Sequence, residues 1–272
     1  MKLSKKQITD FQLTIWDYYD QHARVMPWRS DPSFYHVLVS ELMLQQTQVS
    51  RVIPKFEAFV RQFPTIESLA TAQLADVIIA WQGLGYNRRA KYLHNAAQSI
   101  VKHGIPDTVD QLIALPGVGI NTAGAIRAYV FNQPVAYIET NIRTVYIHEF
   151  FAHRHDVRDS EILAYVTQTI DADNPREWYY ALMDYGAYLK QIDNHLAQSS
   201  QYKKQSPLRG SVREMRGRIV RLLSRGTMTE PCLVEACGHD DRVKKALDGL
   251  LRDGLIEKRD GQIGLTASVD PS

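Results

Sequence analysis

Residues 40–49 read SELMLQQTQV and place one carboxyl, Glu41, among Val37, Leu38, Val39, Leu42, Met43 and Leu44. Desolvation in such an apolar, helix-like setting raises a carboxyl pKa, so Glu41 is suited to act as a protonated donor. Taken alone, it equally fits the wet side of an amphipathic helix. A second stretch, LPGVGINTAGAI at 115–126, sets Pro116, Gly117, Val118 and Gly119 before a helix-forming run. Glycines there permit a tight turn, and backbone N–H groups at the following helix start form an anion site that a phosphodiester can approach. An isolated Gly-x-Gly is also read as a helix end with no ligand. A third feature is basic: Lys203, Lys204, Arg209, Arg213, Arg216, Arg218, Arg221 and Arg225 are interrupted by one acid, Glu214. Phosphate contacts explain that run better than a solvated face when it adjoins a nucleic-acid-binding pattern.

The 272 residues carry a net charge of only +2, so a basic surface must come from such local clustering. The two cysteines, Cys232 and Cys237, exclude a disulfide framework and fit a reducing compartment. The histidines lack ligand spacing, and HRH at 153–155 reads as a surface loop rather than a zinc site. No apolar run approaches membrane-spanning length, and the N-terminal residues form an amphipathic helix pattern rather than a signal peptide. A cytoplasmic, bacterial-type, nucleoid-associated monomer with no membrane contact is expected.

Residues 5–200 show helical periodicity broken by Gly, Pro and Asp, which predicts an all-α region. One helix is expected to open at Pro54 and end at Pro64, and another to carry Leu69, Leu74, Val77, Ile78 and Trp81 before Gly83 and Gly85. A polar, basic linker is expected at 201–211. Beyond it, helices at 212–225, 229–236 and 240–252 precede LIEKRDGQIGL, which reads as a hairpin around Asp260-Gly261. Three helices and a hairpin over 212–268 resemble a winged helix-turn-helix.

Beside these features stand MPWR at 26–29, WQGLGYNRRAKYLH at 81–94, YIETNIRTV at 137–145 and ALMDYGA at 181–187. With SELMLQQTQV and LPGVGINTAGAI they form a collinear set over about residues 20–190. That set resembles the helix-hairpin-helix DNA glycosylase superfamily, and within it the MutY-like adenine glycosylases. The resemblance implies an all-α glycosylase domain over 1–200 of two helical subdomains. A six-helix part would cover about 31–133, and the N-terminus plus 134–200 would form the second.

The resemblance also implies roles. Glu41 matches the general acid that protonates adenine as its glycosidic bond breaks. Glu139 stands where the family places an Asp that stabilises the oxocarbenium-like sugar, and its extra methylene shifts the carboxylate by roughly an ångström. Asn141 matches an Asn that orients that carboxylate. Trp28, Arg29 and Asp184 correspond to the base pocket. Asn121 lies there too, at the position where bifunctional relatives carry a Schiff-base Lys, so no strand cleavage is expected. Gln46 and Tyr86 match residues that wedge into the duplex, and Gln45, Thr47, Gly85, Arg88 and Thr122 join the hairpin and the basic linker as DNA contacts. Family hairpins hold an alkali ion, Na or K, on backbone carbonyls, here those of Ile113, Leu115 and Val118. No other cofactor is required. Residues 188–211 contain no cysteine, which excludes the iron-sulfur cluster most relatives carry there, and the winged helix stands in place of the domain that recognises 8-oxoguanine.

The expected activity is that of a monofunctional DNA glycosylase of base excision repair. It would act on double-stranded DNA and release a flipped adenine mispaired with 8-oxoguanine or G. A glycosylase for a different damaged or mismatched base is the first alternative. A catalytically weak DNA-binding or regulatory protein on the same fold is the second.

Overall fold

A computed structural model describes residues 2–192, 195–200 and 207–267 of the chain. The helices are α1 (Lys5–His22), α2 (Pro27–Ser30), α3 (Phe34–Leu44), α4 (Val49–Gln62), α5 (Ile66–Thr71), α6 (Leu74–Ala80), α7 (Arg88–His103), α8 (Val109–Ile113), α9 (Ile120–Tyr129), α10 (Thr140–Phe151), α11 (Asp159–Thr169), α12 (Pro175–Ile192), α13 (Val212–Leu223), α14 (Glu230–Ala236) and α15 (Arg242–Arg252). A 3-10 turn at His195–Gln198 and strands β1 (Met228–Thr229), β2 (Ile256–Arg259) and β3 (Gln262–Leu265) complete the set among the described residues.

Local chemistry explains several starts. Ser4 and Thr65 accept from the N–H three residues ahead, and Gln7 and Ser68 reciprocate, which satisfies donors a helix start leaves open. One start departs from expectation, because α4 opens at Val49 and carries Pro54 in its interior. An interior proline costs about 3 kcal/mol. Val52, Phe56 and Phe59 on the same helix are almost wholly buried. Burying each such side chain contributes roughly 1.5–3 kcal/mol, so packing outweighs the proline.

The chain divides into two compact units. The first comprises Met1–Val37, Asp107–Ala114 and Val118–Lys204. In it α12 packs against α10 and α1. Phe11 meets Tyr146 at 5.2 Å and Trp178 edge-on at 5.9 Å between ring centroids, over the fully buried Ile15. Gly186 permits the close approach of α12 to α10, since a Cβ there would sit 2.4 Å from the carbonyl oxygen of Asn141.

The second unit comprises Leu38–Pro106, Leu115–Gly117 and Gln205–Ser272. Its core gathers Leu38, Leu42, Met43, Phe56, Phe59, Leu69, Leu74 and Trp81. Helices α13 to α15 and an antiparallel sheet in the order β1-β3-β2 give the winged arrangement. Asp260 and Gly261 both have positive φ, +49° and +75°, as a two-residue type I′ hairpin demands. Strand β1 was not expected: two residues carry no periodicity, yet Met228 pairs with Ile263 and Thr229 with Gln262. Residues 207–267 dock on the N-terminal helices of this unit. Leu74 N–H donates to the Ala267 carbonyl at 3.2 Å, Lys91 Nζ to the Asp253 carbonyl at 3.1 Å, and the Asp253 carboxylate takes both Arg88 and Arg216.

Candidate active site

In the first unit, Glu139 sits at the N-cap of α10, with extended backbone at φ −125° and ψ −178°. Its Oε1 accepts the backbone N–H groups of Asn141 and Ile142, the latter at 2.9 Å. Asp, Asn and Ser usually fill a cap; the longer Glu folds back over the helix start to do so. Burial pushes the Glu139 pKa up, while the two N–H groups, the Lys190 ammonium and Arg143 pull against that rise. Asn141 reaches the carboxylate through its backbone rather than its side chain. The side-chain oxygen accepts from Lys190 Nζ at 2.7 Å, and Nδ2 points to Met183 Sδ at 3.7 Å. Burial pushes the Lys190 pKa down, and Glu139 opposes that fall.

The pocket residues Arg29 and Asp184 are also brought together, but in a closed arrangement. Asp184 Oδ1 accepts Arg24 Nε and Arg29 Nη2, each at 2.7 Å, and Oδ2 accepts the Arg24 N–H at 2.8 Å and Arg29 Nη1 at 2.9 Å. Four donors occupy the lone-pair positions of a carboxylate, so Asp184 ties chain segments together and offers a base no open acceptor. Arg29 lies over the Tyr180 ring at 4.5 Å, and Trp28 is buried on the single turn of α2. Asn121 is exposed in the first turn of α9, and Thr122 beside it is half-buried.

The two hairpin glycines do different work. Gly117 has φ +81°, and a Cβ there would lie 2.9 Å from Tyr92 Cβ, so conformation and packing both demand glycine. Gly119 has φ −94°, caps α9 with no side-chain hydrogen bond, and has open space where a Cβ would be. A helix start exposed in this way suits an anion. Pro116 is half-buried and Val118 buried in the same turn.

In the second unit, Glu41 is half-buried on α3 between the buried Ser40 and Leu42. Sequence reasoning missed the residue that fixes this helix end. Arg89, itself buried, donates to the carbonyls of Leu42 at 2.6 Å, Met43 at 3.0 Å, Gln45 at 2.6 Å, Leu84 at 3.2 Å and Gly85 at 3.1 Å, and to Thr47 Oγ1 at 3.1 Å. Burial among these carbonyls pushes its pKa down to about 10. Gln45 Nε2 also donates to the Gly117 carbonyl at 3.3 Å. Two side chains expected to enter the duplex, Gln46 and Tyr86, have φ of +56° and +48°. Such left-handed backbone at non-glycine residues costs energy and gathers at functional loops. Arg213 from α13 hydrogen-bonds the Tyr86 hydroxyl and lies 5.2 Å from its ring centroid. Gln45, Gln46, Tyr86, Arg88, Arg213 and Arg216 line a cleft of about 450 Å³. Arg209 is exposed; Lys203 and Lys204 lie outside the described residues.

Residues 39–166 match the HhH-GPD superfamily of base excision DNA repair proteins. The adenine DNA glycosylase of Mycolicibacterium smegmatis is 31% identical over 283 residues, covering 95% of this chain and 96% of that protein. That of Mycobacterium tuberculosis is 43% identical over 144 residues, 52% of this chain and 47% of that protein, so here the chain spans about half of its relative. A solved endonuclease III–DNA covalent intermediate shares the fold, with a TM-score of 0.59 at 18% identity over 76% of this chain and 91% of that one. The chain belongs to the helix-hairpin-helix superfamily of base excision DNA repair proteins, on its adenine DNA glycosylase branch.

Proposed function

We propose that the protein is a monofunctional DNA N-glycosylase that removes adenine opposite 8-oxoguanine or G. The C1′–N9 bond breaks with its electrons passing to the adenine ring, which takes a proton from Glu41. The Glu139 carboxylate faces the resulting sugar cation, and water adds at C1′, releasing a proton to a carboxylate and leaving an abasic site. With Asn121 in place of a lysine, no imine forms and the strand stays intact. Four cysteines are needed for the family's iron-sulfur cluster; with two in the chain, the residues do not fit it. The observation that carries this reading is Glu139, a half-buried carboxyl at a helix start that accepts two backbone N–H groups and has the Lys190 cation acting on it.

DNA is gripped at the Pro116–Gly119 turn, with Thr122, an alkali ion on the hairpin carbonyls, and the basic segment of Lys203, Lys204 and Arg209 contributing. Gln46 and Tyr86 enter the duplex where adenine leaves it. The cleft they share with Arg213 supports a purine as the opposite base, since guanidinium groups pair with the O6 and N7 edge of guanine. Duplexes carrying A opposite 8-oxoguanine, G, C or T, treated with protein and then alkali, test the reading. Cleavage at adenine in the first two is expected. Cleavage of none, with an active control enzyme, defeats it, and cleavage without alkali defeats the monofunctional assignment.

A further inference from the structure

Glu139 is asked to face a cation as a carboxylate, yet it is half-buried at a helix start, and the loss of solvent favours its neutral form. Two backbone N–H groups stabilise the charge but carry none themselves. The charges that act on it are Lys190 on α12 and Arg143 on α10, and Arg24 after α1 acts in turn on Lys190. Arg143 is engaged with another acid, pairing in two-point fashion with Asp159 at 2.8 Å for each contact. Arg24 is engaged with Asp184 at 2.7 Å. Lys190 is the cation of this group whose described bond goes to a neutral acceptor, the Asn141 amide oxygen. Asn141 in turn donates its backbone N–H to Glu139. The ammonium therefore acts on the carboxylate by charge and, through Asn141, by position.

We propose that Lys190 is a positioning residue for the glycosylase reaction, fixing the first turn of α10 through Asn141 and supplying the positive charge that keeps Glu139 a carboxylate. This rests on the role proposed for Glu139 above. A lysine is suited to it because its ammonium is a compact point charge that can bond Asn141 while acting on Glu139. Nothing in the sequence near ALMDYGAYLK singles it out, since Asn141 lies 49 residues away.

The test is a carboxyl ¹³C titration of Glu139 in the full chain, with the signal assigned by its loss in Glu139→Gln. Lys190→Gln keeps a donor for Asn141 and removes the charge; Lys190→Arg keeps the charge. The Glu139 midpoint is expected to rise by about one pH unit or more in Lys190→Gln and to return toward the wild-type value in Lys190→Arg. An unchanged midpoint in Lys190→Gln overturns the proposal. A reciprocal arm needs no Lys190 variant: by linkage, Glu139→Gln must lower the midpoint of the Lys190 ammonium, and an unmoved ammonium overturns the proposal equally. The acid limb of the single-turnover adenine-release profile should move with the Glu139 midpoint. Because the titrations involve no reaction, coupled midpoints without adenine release would defeat the proposed function and leave the pairing intact.

Discussion

Two acids stand at the facing helices α10 and α12, Asp184 buried and Glu139 half-buried at the α10 N-cap, and the same unit treats them in opposite ways. Asp184 receives four donors from two arginines, while Glu139 receives two backbone N–H groups and shares a lysine with an amide. The first carboxylate is saturated and tied on both sides, which makes it a cross-link. The second is half-buried and incompletely compensated, so its ionisation works against folding, as suits the role proposed for it. Geometry thus separates the saturated acid from the one proposed to face the substrate.

Breaking the saturated acid should have the largest effect. Asp184→Asn strands two guanidiniums, and removing one partner of a buried ion pair costs about 3–5 kcal/mol. Chemical denaturation should show that loss; a cost under about 1 kcal/mol would place Asp184 among weakly coupled groups and dissolve the contrast.

Gly186→Ala attacks the support of the reactive acid alone. Its Cβ would press on the Asn141 carbonyl, so α12 must shift from α10 at a cost of typically 1–3 kcal/mol. Adenine release should fall by more than the loss of folded protein accounts for, as measured by single-turnover rates against a parallel melt.

Glu139→Gln has the smallest stability effect and the opposite sign. A carboxyl whose folded pKa is raised contributes stability that is present below its unfolded pKa and lost as pH rises through the folded one. Removing it should therefore leave the protein more stable than wild type at pH 8, with the difference vanishing at pH 4. Melting curves at both pH values check this; a variant less stable at pH 8 contradicts it.

The legible parts of the molecule were those written locally. Asp260-Gly261 marks its own turn, and strands Ile256–Arg259 and Gln262–Leu265 follow from it with Ile256 opposite Leu265. Helical periodicity announces an all-α region over 5–200, and the glycine pair announces the hairpin without showing that only Gly117 needs its glycine for conformation. What stayed hidden depends on partners distant in sequence. Arg89 acts on carbonyls up to 47 residues away, and Lys190 on an amide 49 away. A motif reading chose the exposed Arg88 of NRRAK over the buried Arg89 because no pattern in the chain states which arginine turns inward. Pro54 misled for the same reason, since the packing that outweighs its cost belongs to the whole helix face.

The most direct test of the central claim is single-turnover release of adenine from a duplex containing A opposite 8-oxoguanine, by the wild-type chain beside Glu139→Gln. The account predicts release by the wild type and a rate at least about a hundredfold lower in the variant, with DNA binding retained. Release at the wild-type rate by Glu139→Gln would contradict it.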